Sequence, residues 1–147
     1  MRRKRKSKMK KQTINLTNDD VAKAVSTLNW LKQVALAPAA AQRVAINIAV
    51  LSAHDKTFQD GRTAIFKKYA DYDEEKGFTE DPKSHEVVFR SPEDRQAALK
   101  EVESFSRFAD EFNLWTMSID DLSDNPKALK FPAVVFENLN WMFTEPE

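Results

Sequence analysis

The stretch PAAAQRVAINIAVLSAHDKTFQDGRTAIFKKYAD, residues 38–71, decides the fold of this 147-residue chain. Apolar residues recur along it at spacings of three, four and seven, as on one face of an α-helix. Pro38 suits the first turn of a helix, where its missing N–H group is not needed. The stretch therefore predicts one long helix whose apolar face requires a packing partner. That face consists of Val44, Ile48, Leu51, Phe58, Ile65 and Tyr69.

Two charged residues, Asp55 and Arg62, stand at positions of the same helical repeat that apolar residues otherwise occupy. Gly61 beside them lowers the helix propensity locally. Either the helix bends at this point, or the pair meets charged partners. In a monomer the two side chains would face water, because the line of apolar residues shifts gradually around the helix axis. In a dimer across the long helix they would specify the register.

The segments before the long helix predict a strand and a shorter helix. TINLT, residues 13–17, alternates apolar and polar residues as a half-buried strand does. Asn18 or Asp19 can cap a helix over residues 19–36, whose apolar residues recur at helical spacing. The short connection to the long helix predicts an antiparallel helical hairpin.

The segments after the long helix predict a loop, a third helix and a second strand. Residues 71–85 read as an exposed loop, with Gly77 and Pro82 at the positions where a calcium loop needs other residues. A short strand at residues 87–89 follows, and Ser91 and Pro92 then begin a helix. The buried face of that helix is predicted to contain Ala98, Val102, Phe105, Ala109 and Phe112. The next strand is predicted to turn Trp115, Met117 and Ile119 to one apolar side and to pair with the first strand, and a last helix begins at Pro132.

These elements predict a helix-rich α+β fold. A helical hairpin and a third helix pack with a small two- or three-stranded sheet and a short C-terminal helix. Residues 1–11 are predicted to form a disordered basic tail, and residues 12–147 a single domain.

The composition disfavours enzymatic chemistry. The chain has no cysteine, only the glycines Gly61 and Gly77, and only the histidines His54 and His85, neither of which lies in a catalytic or metal-binding motif. We therefore predict no catalytic residue, no cofactor and no metal. No apolar stretch approaches the roughly 20 residues that cross a bilayer, and no signal peptide is present, so we expect a cytoplasmic protein without a membrane partner.

The net charge of zero combines a basic tail with an acidic body. The first eleven residues contribute +8, and the other residues contain 15 basic and 23 acidic side chains, which sum to −8. The tail could bind nucleic acid, whereas the acidic body repels a phosphate backbone. The candidate contacts for nucleic acid are Arg2, Arg3, Lys4, Arg5 and Lys6.

Aromatic residues are abundant in the C-terminal half of the chain. They include Phe105, Phe108, Phe112, Trp115, Phe136, Trp141 and Phe143. Such a set builds either a core alone or a core together with a partner interface, since aromatic clusters provide much of the binding energy of interfaces. The candidate interface residues are Trp30, Asp55, Arg62, Phe108, Trp115 and Trp141.

The order of parts carries a family resemblance. An INLT strand leads into a helix with LNWL, and a long helix ends in FKKYAD; a helix of the EDRQAALKEVESF kind, the segment WTMSIDDLSDNP and a closing FENLNWMF follow. Over roughly residues 10–145 the chain resembles small tailed-bacteriophage proteins of an uncharacterised family. The resemblance implies a phage gene that acts in the host bacterial cytoplasm, and it implies no activity and no site residues.

Three functions are consistent with these patterns. The leading hypothesis is a non-enzymatic phage accessory protein that binds and modulates or inhibits a host or phage protein, for example a defence or replication factor. The second is a nucleic-acid-binding protein that acts through the basic tail. The third is an oligomer, formed through the long helix, that sequesters a small ligand such as a nucleotide.

Overall fold

A computed structural model describes residues 7–126 and 129–144. The elements in chain order are β1 (Lys10–Thr17), α1 (Asn18–Leu31), α2 (Pro38–Tyr69), β2 (Tyr72–Asp73), β3 (Gly77–Phe78), α3 (Pro92–Ser106), β4 (Ala109–Thr116), a 3₁₀ turn (Ile119–Asp121) and α4 (Ala133–Asn138). The predicted helix-rich α+β class is confirmed.

The described residues gather into two compact units. The first unit contains β1, α1, the part of α2 up to Asp55, and the chain from Ala109 onward. The second unit contains residues 56–108. The division between the two units falls within helix α2, after Asp55. The single domain predicted for residues 12–147 stays a prediction.

The start of the first unit differs from the prediction in three details. β1 begins at Lys10, so Lys10 and Lys11 belong to a strand, because they pair with Thr116 and Trp115 of β4. Thr17 caps α1 instead of Asn18 or Asp19: its Oγ1 accepts a hydrogen bond from the Asp20 N–H at 3.0 Å. The Asp20 carboxylate accepts the Thr17 N–H at 3.1 Å, which completes a capping box. The helix ends at Leu31, earlier than the predicted residue 36.

β1 pairs with β4 in antiparallel fashion, as predicted. β4 begins at Ala109, so Ala109 and Phe112 lie in this strand and α3 ends at Ser106. The strand buries Phe112, Leu114 and Thr116. The prediction that Trp115 and Ile119 lie on the buried side was wrong. Trp115 lies on the other face, where the Arg43 guanidinium stacks 3.8 Å from its ring centroid and covers it.

One hydrophobic core fills the first unit. α1 and the first part of α2 both contribute to it, but their predicted antiparallel arrangement stays a prediction. The core contains Leu16, Val21, Ala24, Leu28, Leu31, Ala40, Val44, Leu51, Phe112, Leu114, Met117, Leu122, Val135, Leu139 and Met142.

The outer edge of β4 is occupied by groups from elsewhere in the first unit. The Asn47 side chain, fully buried on α2, donates from Nδ2 to the Trp115 carbonyl at 3.0 Å and accepts the Trp115 N–H at 2.9 Å. The Met117 N–H donates to the Met142 carbonyl, and the Thr144 N–H donates to the Met117 carbonyl. Asn47 and the C-terminal segment thus satisfy backbone groups that an edge strand would otherwise expose.

The second unit contains a small hairpin where the sequence predicted an exposed loop. β2 pairs with β3, Gly77 adopts a φ of 78°, and the Tyr72 and Phe78 rings lie 4.9 Å apart. The predicted strand at residues 87–89 is reduced to isolated bridges from Val87 and Phe89. The predicted start of α3 is confirmed, because Ser91 Oγ accepts the Asp94 N–H at 3.1 Å.

Gly61 is the contact point between α2 and a ring of α3 within the second unit. A Cβ atom at this position would lie 2.5 Å from Cε2 of Phe105. The Phe105 ring also packs 5.1 Å from the Phe58 ring. The close contact with an aromatic ring therefore explains why position 61 is glycine. The sequence alone did not predict this contact.

We expect Gly61→Ala to lower the free energy of unfolding by about 1–2 kcal/mol, although alanine favours helices by about 1 kcal/mol. The added methyl group must displace the Phe105 ring from its contact. Chemical denaturation followed by circular dichroism measures the change. In a Phe105→Leu background the same substitution should be neutral or stabilising, and an equal loss in both backgrounds contradicts this explanation.

Candidate functional site

A line of aromatic rings crosses the surface of the first unit. The ring centroids of Trp30 and Phe131 are 5.9 Å apart, those of Phe131 and Phe136 are 6.0 Å apart, and those of Phe136 and Phe143 are 5.7 Å apart. Trp30, Val134 and Phe136 are 39%, 49% and 38% exposed. We call these five residues the aromatic face.

α4 presents the aromatic face because its other side is anchored. Val135 and Leu139 are buried in the core. Asn138 Nδ2 donates to Thr27 Oγ1 at 3.0 Å, and Thr27 Oγ1 donates to the Lys23 carbonyl at 2.9 Å. With α4 fixed to α1 in this way, Val134 and Phe136 lie on either side of the buried Val135 and remain exposed.

An apolar groove lies within the aromatic face and has a volume of about 240 Å³. It is lined by Ser26, Thr27, Trp30, Pro132, Val134, Val135 and Asn138. Sites that enclose whole small molecules usually measure about 300–1,000 Å³. The groove is smaller, so its size suits one large apolar side chain from another protein.

Trp141 faces a different, polar pocket, also in the first unit. This pocket has a volume of about 420 Å³ and is lined by Asn15, Leu16, Asp20, Lys23, Glu137, Asn138, Asn140 and Trp141. The Trp141 Nε1 atom is buried and has no hydrogen-bond partner within the described chain. Lys23 lies 2.9 Å from the Asp19 carboxylate, and the hydrogen bond to Asp19 raises the pKa of Lys23 above its ordinary value.

The other candidate interface residues are dispersed. Trp115 is half-buried under Arg43, and Asp55 is half-buried at the end of the first unit. Arg62 and Phe108 belong to the second unit. Arg62 donates from Nη1 to Gln59 Oε1 at 3.3 Å, and its guanidinium lies 5.8 Å from the Phe58 ring centroid. Of the six predicted residues, only Trp30 belongs to the aromatic face.

Phe108 is the most exposed of the large apolar residues described, at 65%. It packs edge-on against Phe105, with ring centroids 6.1 Å apart. These two residues and Ile65 line an open depression of about 380 Å³, together with Lys100, Glu101 and Ser104. The charged rim and the open form make this a weaker docking surface than the aromatic face.

A cluster of Lys68, Tyr69 and Glu101 connects α2 to α3 in the second unit. The Tyr69 hydroxyl donates to Glu101 Oε1 at 2.5 Å, and Lys68 Nζ lies 3.0 Å from the same oxygen. The hydrogen bond from Tyr69, and then that from Lys68, lowers the pKa of Glu101 below its ordinary value. The bond to Glu101 raises the pKa of Tyr69. Tyr69 therefore stays protonated at neutral pH and acts as a donor, not as a phenolate nucleophile.

The two histidines lie in different surroundings. His54 Nε2 lies 2.7 Å from Asn18 Oδ1, and its ring packs edge-on at 4.9 Å from Phe112. His85 has a φ of 60° and is exposed. Within residues 7–126 and 129–144, no group of three or more acidic or histidine side chains has the arrangement of a metal site. Over the same residues, no helix is long and apolar enough to cross a membrane.

The acidic residues of the β2–β3 region build turns. The Asp73 carboxylate accepts the backbone N–H groups of Glu75 and Lys76, and Asp81 does the same for Lys83 and Ser84. The bonds to Asp81, with the Ser84 N–H first, lower the pKa of its carboxyl group. Through these contacts the two carboxylates stabilise the turns of the loop.

The candidate nucleic-acid contacts Arg2, Arg3, Lys4, Arg5 and Lys6 lie outside the described residues. The basic character continues into the structure, because Lys10 and Lys11 are exposed on β1. No protein-family model, curated protein or solved structure matches the chain. The resemblance to a phage family therefore stays a prediction.

The sequence analysis missed Phe131 and Val134 as members of the aromatic face. A signal was present in the run FPAVVF, residues 131–136, whose last four residues are all apolar and form the first turn of a short helix. A helix of six residues cannot bury all of its sides against one core, so some of these residues had to reach the surface.

Proposed function

We propose that this protein is a non-enzymatic binding protein that engages another protein through the aromatic face. The observation that carries the proposal is the exposure of Trp30 and Val134, which line an apolar groove, together with that of Phe136 on the same short helix as Val134. Soluble proteins seldom leave a contiguous apolar surface uncovered unless it serves recognition. Tryptophan and phenylalanine at the centre of such a surface provide much of the energy of binding.

The partner we propose inserts one large apolar side chain, such as leucine or phenylalanine, into the groove. The groove is also lined by uncharged Ser26 and Asn138, and the exposed Ser26 can hydrogen-bond to the backbone of the inserted segment. The rings of Phe131 and Phe136 hold their neighbours in place, so the surface is already organised before binding.

In the phage setting that the resemblance implies, the partner is a host or phage protein in the bacterial cytoplasm, and binding modulates or inhibits it. This biological role rests on the resemblance, whereas the binding surface rests on the aromatic face. The two parts of the proposal can therefore fail independently.

Site-specific photocrosslinking tests the proposal. A benzophenone amino acid is placed at Val134 in the groove, and, as the matched control, at Leu99 on α3, which is 46% exposed. In lysate of infected bacteria, we expect the probe at position 134 to give a discrete covalent adduct with a second protein, and the probe at position 99 to give none. Equal adducts from both positions, or none from position 134, contradict the proposal.

A further inference from the structure

β1 has one open edge. The sheet of the first unit contains only β1 and β4 among the described residues, and Asn47 with the C-terminal segment occupies the outer edge of β4. Within residues 7–126 and 129–144, no hydrogen bond from another segment reaches the outer edge of β1 at Lys11, Thr13 or Asn15. An edge strand of eight residues offers unpaired backbone groups to another strand.

The hydrogen bonds of β4 identify which backbone groups of β1 point outward. The Trp115 N–H and carbonyl face Asn47, so the pair Lys11–Trp115 does not share hydrogen bonds across the sheet. In an antiparallel pair such positions alternate with bonded ones. The backbone groups of Lys11, Thr13 and Asn15 therefore point away from β4, and those of Thr17 do as well, although its N–H is already bonded to Asp20.

We infer that β1 pairs with β1 of a second copy of this chain, in antiparallel orientation about Thr13. With Thr13 opposite Thr13, Lys11 of each copy lies opposite Asn15 of the other. All three outward-facing residues then form hydrogen-bonded pairs, and the two sheets join into one of four strands. This interface is separate from the aromatic face and does not depend on it.

The charges along the strand favour a second copy in this orientation. Lys10 and Lys11 lie at its start, whereas Asp19 and Asp20 follow its end. Antiparallel pairing brings the basic end of one copy to the acidic end of the other, whereas parallel pairing would bring like charges together.

The polar pocket beside Trp141 lies where the partner's lysine arrives. In this register Lys10 of one copy is opposite Leu16 of the other, and paired residues direct their side chains to the same face of a sheet. Leu16 lines the polar pocket together with the exposed carboxylates of Asp20 and Glu137. The Lys10 ammonium group therefore meets these two carboxylates, twice in the symmetric dimer.

Sedimentation equilibrium of the full chain tests the inference. We expect a reversible dimer, and we expect Thr13→Pro to yield a monomer because proline removes the central outward N–H group. Thr13→Val is the matched control: it also loses the hydroxyl bond to Asn113 but keeps the N–H, so it should dimerise like the wild type. A monomeric wild type at every concentration, or a dimer that survives Thr13→Pro, overturns the inference.

A pair of charge-reversal substitutions tests the same dimer if Thr13→Pro disturbs folding. Lys10→Glu should raise the dimer dissociation constant about tenfold or more, because symmetry repeats the lost attraction. Adding Glu137→Lys should restore much of the lost affinity, although the new carboxylate at position 10 still faces Asp20. Failure of the second substitution to restore dimerisation contradicts the proposed contact between Lys10 and Glu137.

Discussion

Replacing Asn47 with leucine should lower the free energy of unfolding by about 2–5 kcal/mol, the largest stability effect we expect from one substitution in the first unit. Leucine has a similar size but cannot replace either hydrogen bond to Trp115. The N–H and carbonyl groups of Trp115 would then lose their partner at the outer edge of β4. An unsatisfied buried backbone group costs about 1–3 kcal/mol, and two are affected here. Chemical denaturation monitored by circular dichroism measures the loss.

Asn29→Leu is the matched control for this prediction. Among the described residues, the Asn29 amide donates to the Val25 carbonyl alone, one turn earlier in its own helix. Its replacement should change the free energy of unfolding by no more than about 0.5 kcal/mol. A loss at position 47 as small as that at position 29 contradicts the role assigned to Asn47 in closing the β4 edge.

Replacing Trp30 with alanine should weaken binding to the crosslinked partner about 30-fold or more, the largest binding effect we expect from a single truncation. The indole ring of Trp30 lines the groove and packs edge-on against Phe131, so its loss opens the groove and releases a neighbouring ring. Isothermal titration calorimetry with the purified partner measures the affinity.

Phe108→Ala provides the comparison, because Phe108 is more exposed than Trp30 but belongs to the second unit. We expect a change of less than about twofold, as is typical of residues outside a binding hot spot. If both substitutions weakened binding equally, exposed aromatic area in general, and not the aromatic face, would be responsible.

The sequence predicted elements well where local signals were strong. The four-three rhythm and Pro38 identified α2, and Ser91 with Pro92 identified the start of α3. The boundary between α3 and β4 was wrong, because Phe105, Phe108 and Phe112 continue a helical spacing past the end of the helix at Ser106. Local periodicity cannot show that the residues from Ala109 onward form a strand because they pair with β1.

The candidate site was harder to predict than the fold. Trp30 was recognised because it lies off the buried stripe of α1, which is a local property. Phe131 and Val134 were missed, since the apolar run FPAVVF shows that some of its residues reach the surface but not which ones, and that choice depends on how the Asn138–Thr27 bond anchors α4 against α1. That bond joins residues 111 positions apart in the chain, and no local pattern encodes it.

The affinity of the Val134→Asp variant for the crosslinked partner tests the central claim most directly. A carboxylate in the apolar groove would be desolvated without a cationic partner, so we expect a loss of about 100-fold or more. Leu99→Asp, which places the same charge on an equally exposed apolar position of α3, should bind within about twofold of the wild type. Binding that Val134→Asp leaves unchanged, or that both variants weaken equally, would show that the aromatic face is not the protein-binding surface.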